Sequence, residues 1–434
     1  MKKFIILLFV FGFISTSFAE EAKKELPLKV SVSGMVYGTG YNTVVKDVKG
    51  DYSTFRIRPL FTFTDGNIEA VMKLEYDGVF GQKSYSGSDD TVNGTVNKSS
   101  EYVGLSADKK GLEVANAYIK SKVDGIPGLI LLAGIAPYEF PLVFADNAPL
   151  ATVQYEINPV SINLYYMKPS EGALTESKDD AQIYIADINF KFGDSSIRPA
   201  FFAFQCKDEA EFGTYKDSIG YIYGLSMNLV AGSVGITASG AYIQGEDKIN
   251  DTDYSAYAFD VAPYIKSDDV FKLTAFFTMV SGDDDLTDGE DNSFINATID
   301  GKSSGINNFR LYIIEDGGSF TTYSDVTNTG TYTNYNGYMA YGLSFDVTYG
   351  PVSVKVQGAY AQALKVASSQ EKDMGIEVDG NISFVLTKSS TLYVEGAFLK
   401  AGEFYETTDT STGAPATVET QNPYYVNVGM KYSI

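Results

Sequence analysis

The sequence predicts an all-β protein: a closed, antiparallel, up-and-down transmembrane β-barrel of about eighteen strands, with sixteen the alternative. Three observations carry that expectation. Apolar residues recur at every second position along most of the chain, as they do on one face of a strand. Short and long connections alternate. The composition favours strands, with 32 Tyr, 28 Phe and 41 Gly against 13 Pro.

The chain opens Met1-Lys2-Lys3, then an apolar run from Phe4 to Ile14, then small residues at Ser17 and Ala19. That order predicts a secretory signal peptide over residues 1–19, cut before Glu20, and the run is too short for a spanning helix. A short lead-in over 20–27 and one barrel domain over 28–434 complete the division. No linker or change of periodicity divides the barrel further. Cys206 is the only cysteine, so no internal disulfide is available and the leader has no lipobox.

From Leu28 the strands follow in order. Leu28, Val30, Val32 and Val36 alternate with Lys29, Ser31 and Ser33. Phe55, Ile57, Phe61 and Phe63 alternate with Arg56, Arg58, Thr62 and Thr64. After Asp65-Gly66-Asn67, the run Ile68, Ala70, Met72, Leu74 and Tyr76 completes a hairpin. Further strands are predicted near 112–123, 128–136, 149–157, 160–168, 181–192, 196–206, 218–230 and 233–245. The last fall near 254–265, 270–281, 337–349, 351–364, 372–387, 390–401 and 423–434. Facing is ambiguous in 112–123, 128–136 and 196–206, where both faces are apolar.

The joins at Asp65–Asn67, Asp124–Pro127, Asn158-Pro159, Gly193–Ser195, Ala231-Gly232, Lys266–Asp269, Gly350-Pro351 and Lys388–Ser389 are tight. The intervening connections are longer, notably Gly78–Gly111, Pro137–Ala148, Lys207–Asp217, Gly282–Asn336 and Gly402–Asn422. Such alternation is what a meander with two unlike ends produces, and an even strand count leaves both termini at the short-turn end. A ring of this size is too wide for side chains to fill, so the interior holds water or a plug. The polar face is then expected inside and the oily face outside, against lipid.

Charge and missing residue types narrow the function. Lys plus Arg is 33 and Asp plus Glu is 55, a net charge of −22, which disfavours nucleic acid as a partner. There is no His, which removes Ser–His chemistry and the commonest metal ligand, and no phosphate-binding glycine loop is present. No catalytic residue, metal or cofactor is expected. The acidic run Gly282–Asp291 fails as a calcium loop starting at Asp284, because Leu286 and Ile295 occupy ligand positions. The expected pore-lining residues are Glu69, Lys73, Glu75, Asp77, Glu156, Asp260, Lys355, Glu377 and Asp379, with most of the acidic excess in loops. Acidic mouths concentrate cations, so a weak cation preference is expected.

The last segment, Pro423 to Ile434, places Tyr424, Val426, Val428, Met430, Tyr432 and Ile434 on one face. With Tyr third from the end it resembles the closing strand of Gram-negative outer-membrane barrels, although Ile434 stands where that family ends in an aromatic residue. Strand count, loop alternation and this strand together resemble the Gram-negative porin superfamily. A local likeness covers Asn116-Ala117-Tyr118-Ile119, Leu132-Ala133-Gly134-Ile135 and Pro137-Tyr138-Glu139-Phe140. The resemblance implies an outer-membrane location, contact with membrane lipid and lipopolysaccharide, insertion by the barrel assembly machinery, and a homotrimer. It also implies that the loop after the fifth strand, here Pro137–Ala148, folds inward so that Glu139 and Asp146 face Arg56 and Arg58 at a constriction. The residues alone equally allow Arg56 and Arg58 to snorkel or to pair with Glu69 and Glu75 across their hairpin, and allow the loop to cap the rim or rest on a neighbouring subunit. The function so implied is a water-filled channel for passive diffusion of ions and small hydrophilic solutes. The alternatives are a substrate-specific channel, or a structural or adhesive surface barrel whose lumen is plugged.

Overall fold

A strand leaves a row of backbone donors and acceptors along each edge, and alternating segments satisfy them by pairing side by side. The computed structural model describes residues 28–42, 49–80, 112–170, 181–206, 218–248, 251–267, 270–285, 288–294, 310–314, 336–366, 371–405, 408–409, 416–417 and 421–434. The expected signal peptide, the lead-in and most of Gly78–Gly111 lie outside them.

The first six barrel strands are β1 (Leu28–Asn42), β2 (Lys49–Asp65), β3 (Ile68–Phe80), β4 (Leu112–Lys122), β5 (Leu129–Phe140) and β6 (Phe144–Ile157). Next come β7 (Val160–Ser170), β8 (Ala181–Phe192), β9 (Ser195–Cys206), β10 (Ser218–Ala231), β11 (Val234–Asp247) and β12 (Thr252–Ser267). The ring continues through β13 (Phe271–Val280), β14 (Tyr338–Tyr349), β15 (Val352–Ala363), β16 (Asp373–Thr387), β17 (Ser390–Ala401) and β18 (Tyr424–Ser433). Each pairs antiparallel with the next, and β18 pairs with β1, so the sheet has no free edge. The two-residue stretch Glu290–Asp291 adds parallel to β12.

Closure runs from Asn42↔Tyr424 to Ser33↔Ser433 and ends in a reciprocal pair of bonds between Val32 and Ile434, at 2.9 and 2.8 Å. The last residue of the chain therefore takes part in sealing the ring. At the same end lie the tight turns, where Gly66, Gly193, Gly232 and Gly350 take φ of 57°, 61°, 62° and 56°. Two-residue hairpin turns demand that left-handed conformation, which a Cβ disfavours.

At the other end two connections are shorter than the sequence suggests. β11 and β12 are joined by Lys248–Asp251 alone. The segment Pro137–Ala148, expected as a loop, consists mostly of strand: β5 and β6 stay paired out to Phe140↔Phe144, leaving only Pro141–Val143 as the turn. The ladder passes Pro137 and Pro149, and only Pro141 falls in the turn.

The two faces of the ring differ as the alternation requires. Tyr221, Tyr223 and Leu225 of β10 are exposed while Ile222 between them is fully buried. The buried face is the concave one, because side chains from non-neighbouring strands converge on common partners there. Asp260 of β12, Gln357 of β15 and Glu377 of β16 all reach the segment Arg310–Ile314. The inner wall mixes polar and apolar stretches, and Thr39, Ser218, Asp247, Thr278 and Asn427 are buried near the loop end. On β8 to β11 the loop half carries Ile183, Ile185, Phe202, Phe204, Ile222 and Ile243, all buried. This explains the two-sided apolar pattern of 196–206, whose inner side chains lie against chain folded into the lumen rather than water.

Gly429 sits on the inner face of β18 beside the seam, under the hydroxyl end of Tyr393. A Cβ there would lie 2.6 Å from both the Val36 carbonyl oxygen and the Tyr37 Cβ. Gly429→Val is expected to destabilise the closed ring by roughly 1–3 kcal/mol. The compact form on a detergent gel should then be lost at a lower temperature than in the parent.

Candidate functional site

Among the described residues, two pieces of chain are tied to the inner wall through ion-paired arginines. The first is the tip of the β5–β6 hairpin. Leu142 holds a left-handed φ of 65° and Val143 N–H donates to the Phe140 carbonyl at 3.1 Å, closing the turn. The tip seats on the inner faces of β7 to β10. The Phe140 ring occupies the space that a side chain at Gly224 would need, and meets Phe202 edge-on at 5.5 Å. Tyr138 stands edge-on to Tyr165 at 4.8 Å and to Phe202 at 6.2 Å.

One guanidinium ties this tip to the wall. Arg198 of β9 lies 5.0 Å from the Phe140 ring centre and 5.7 Å from that of Tyr138, within cation–π range. Its Nη1 donates to the Glu139 carbonyl at 2.9 Å, and its Nη2 donates to Asp187 Oδ2 at 2.7 Å. The other Asp187 oxygen accepts from Asn163 Nδ2 at 2.7 Å. Asp187 is buried, so its charge is tolerable only with this full set of partners.

The second piece is Arg310–Ile314, part of the long connection between β13 and β14. Arg310 forks onto Asp260, with Nε at 2.9 Å from Oδ2 and Nη2 at 2.5 Å from Oδ1. Thr278 donates to the same carboxylate at 3.0 Å. The backbone N–H groups of Ile313 and Ile314 donate to the two Glu377 oxygens at 2.6 and 2.8 Å, and Tyr312 N–H donates to Asp379 at 3.3 Å. Gln357 bridges by donating to the Arg310 carbonyl and, at 2.7 Å, to Asp379. Tyr312 stacks on Tyr425 of β18, with Lys355 Nζ 5.8 Å from its ring centre. At the base of this connection Lys365 pairs with Asp284 at 3.0 Å, and that carboxylate holds the lysine above its ordinary range.

The residues expected from sequence fall as follows. Arg56 and Arg58 of β2 both pair with Glu75 of β3, Arg56 at 3.1 Å, which is the Glu75 part of the cross-hairpin alternative. Glu139 is exposed and offers its carbonyl to Arg198. The side chains of Asp146 and Asp77 lie outside the described residues. Glu69 and Lys73 are half-buried, and Glu156 is exposed near the turn end, accepting from Gln154 at 2.8 Å. Asp260, Glu377 and Asp379 lie on the inner wall but are covered by Arg310–Ile314, at 2%, 0% and 2% exposure.

Sequence reasoning missed Arg198, Arg310 and Gln357. A signal for the first two was present. The chain has only four arginines, and each forms an ion pair inside the ring. Two of them stand in the same tripeptide, Ile57-Arg58-Pro59 and Ile197-Arg198-Pro199. Lysine serves elsewhere; arginine is kept for forked pairing with carboxylates. Around the circumference the pairs sit at β2–β3, at β8–β9 and at β12, spread round the lumen rather than gathered on one wall.

Eighteen strands, a sealed sheet and chain folded into the lumen define a porin-type barrel. Solved structures of that architecture are similar over nearly the whole chain. OccK9 (OpdG) of Pseudomonas aeruginosa is 12% identical with a TM-score of 0.57, over 95% of this chain and 100% of that one. A BenF-like porin from Pseudomonas fluorescens Pf-5 is 9% identical with a TM-score of 0.58, over 94% and 99%. OpdL of Pseudomonas aeruginosa is 8% identical with a TM-score of 0.56, over 94% and 98%. No family model matches the chain, and no curated protein matches it. At these identities the likeness establishes the fold.

Arg198→Ala should unseat the hairpin tip and leave Asp187 buried without its cation, costing about 3–5 kcal/mol. Adding Asp187→Asn should recover part of that loss. Urea denaturation of the detergent-folded barrel measures both.

Proposed function

We propose that the protein is an outer-membrane channel of a Gram-negative-type envelope, passing ions and small hydrophilic solutes by diffusion through a narrowed lumen. The observation that carries this reading is the pair of inward segments. Each is anchored to the concave wall by ion pairs and aromatic packing, which leaves the ring narrowed in a defined way. The porins named above share the architecture and support the assignment. Mechanistically, solutes are selected by size at the segments and by charged groups of the wall that are part-open to water, Arg56 and Arg58 among these.

A solute-specific channel is the second reading, favoured by the four ion-paired arginines spaced round the lumen. The net charge of −22 supports a weak cation preference, kept weak because Asp187, Asp260, Glu377 and Asp379 are tied up. In planar bilayers, ohmic steps are expected, with a reversal potential on the cation side that shrinks as salt is raised. Small steps blocked by a single solute would single out the specific channel. Silence from correctly folded protein would overturn both in favour of a plugged surface barrel.

The lipid-facing assignment has its own test. Leu343, in the middle of β14, is 59% exposed on the outer face. Leu343→Arg is expected to cost about 2–4 kcal/mol at mid-membrane depth. Refolding into phospholipid bilayers should show that loss.

A further inference from the structure

Glu377 and Asp379 carry two acids on the inner wall, as a pore lined with charge would, but neither is open to water. Both Glu377 oxygens and Asp379 Oδ2 accept from three successive backbone N–H groups, those of Ile313, Ile314 and Tyr312. That stretch forms no helix or strand, so its amides have no secondary-structure partners and depend on the wall. Asp260 grips the guanidinium at one end, and Gln357 donates to the Arg310 carbonyl. Leu311, Ile313 and Ile314 are buried beside them. The grip is thus mostly on main-chain atoms, from three different strands.

We propose that Glu377 and Asp379, with Asp260 and Gln357, are the positioning residues of the constriction: they hold Arg310–Ile314 as a docked strap, and the docked fraction sets the aperture. The role in setting an aperture rests on the channel reading above; the docking itself does not. None of the four touches a passing solute, because the strap covers them.

The test uses the full-length folded protein in detergent and an arginine-specific protease. Three of the four arginines lie on barrel strands, so the Arg310–Leu311 bond is the one arginine site in a connection. With the strap docked, that bond should resist cutting. Glu377→Gln removes a carboxylate from the wall. Ile313→Pro removes one N–H donor from the strap and leaves every wall residue in place. Each should speed cleavage after Arg310 by about tenfold or more, as loss of a hydrogen bond to a charged acceptor implies. Both variants should also raise single-channel conductance or its high-conductance fraction. Equal cleavage rates in parent and variants, with heat-modifiable gel mobility retained, would overturn the proposal. So would faster cleavage with unchanged conductance in an active channel. Should Glu377→Gln fail to fold, Ile313→Pro decides alone. A parent that is silent in bilayers, yet shows the cleavage difference, would sink the channel reading and leave the docked strap standing.

Discussion

The seam between β1 and β18 is the contact on which the rest depends. Until those two strands meet, the sheet has two edges of unpaired amides and carbonyls, a state that hydrocarbon does not tolerate. Once they meet, every strand has two neighbours and the sheet has a concave side too wide to be filled by its own side chains. The inward hairpin tip and the Arg310–Ile314 segment are answers to that geometry. They cover apolar wall that would otherwise face water, and they bring charged partners to carboxylates that would otherwise be solvated.

A division of labour round the ring follows. On β8 to β11 the loop half of the wall is aromatic and aliphatic, and the hairpin tip packs on it. On β12, β15 and β16 the wall carries Asp260, Gln357, Glu377 and Asp379, and Arg310–Ile314 meets them. Arginine is the device that joins the two chemistries. Arg198 presents a flat face to Phe140 and Tyr138 while its edge donates to Asp187 and to a carbonyl. A lysine there would offer a point charge with no such face.

Most of the ring could be read from the sequence because a period of two is a local signal. Eighteen segments were expected and eighteen form, with the tight turns where Gly, Asn and Pro placed them. The reading weakened where local signals conflict. Pro137–Ala148 reads as a connection, but the strands run on past Pro137 and Pro149 because proline loses only its own donor, and only Pro141 falls in the turn. Partners were harder still. Periodicity put Asp260, Glu377 and Asp379 on the inner face, yet what meets them comes from a connection with no period at all. Nothing local to Glu377 announces that the amides of Ile313 and Ile314 will land on it. For Arg56 and Arg58 the pairing with Glu75 depends on distances that only the folded ring supplies.

Because the wall seizes Tyr312, Ile313 and Ile314 by their amides, part of the hold on this stretch is independent of which side chains it bears. The other part is not: Leu311, Ile313 and Ile314 are buried and Tyr312 stacks on Tyr425, so a bulkier residue would have to displace the wall. The mounting of this five-residue insert therefore tolerates rewriting only where the exchanged residue keeps the buried volume.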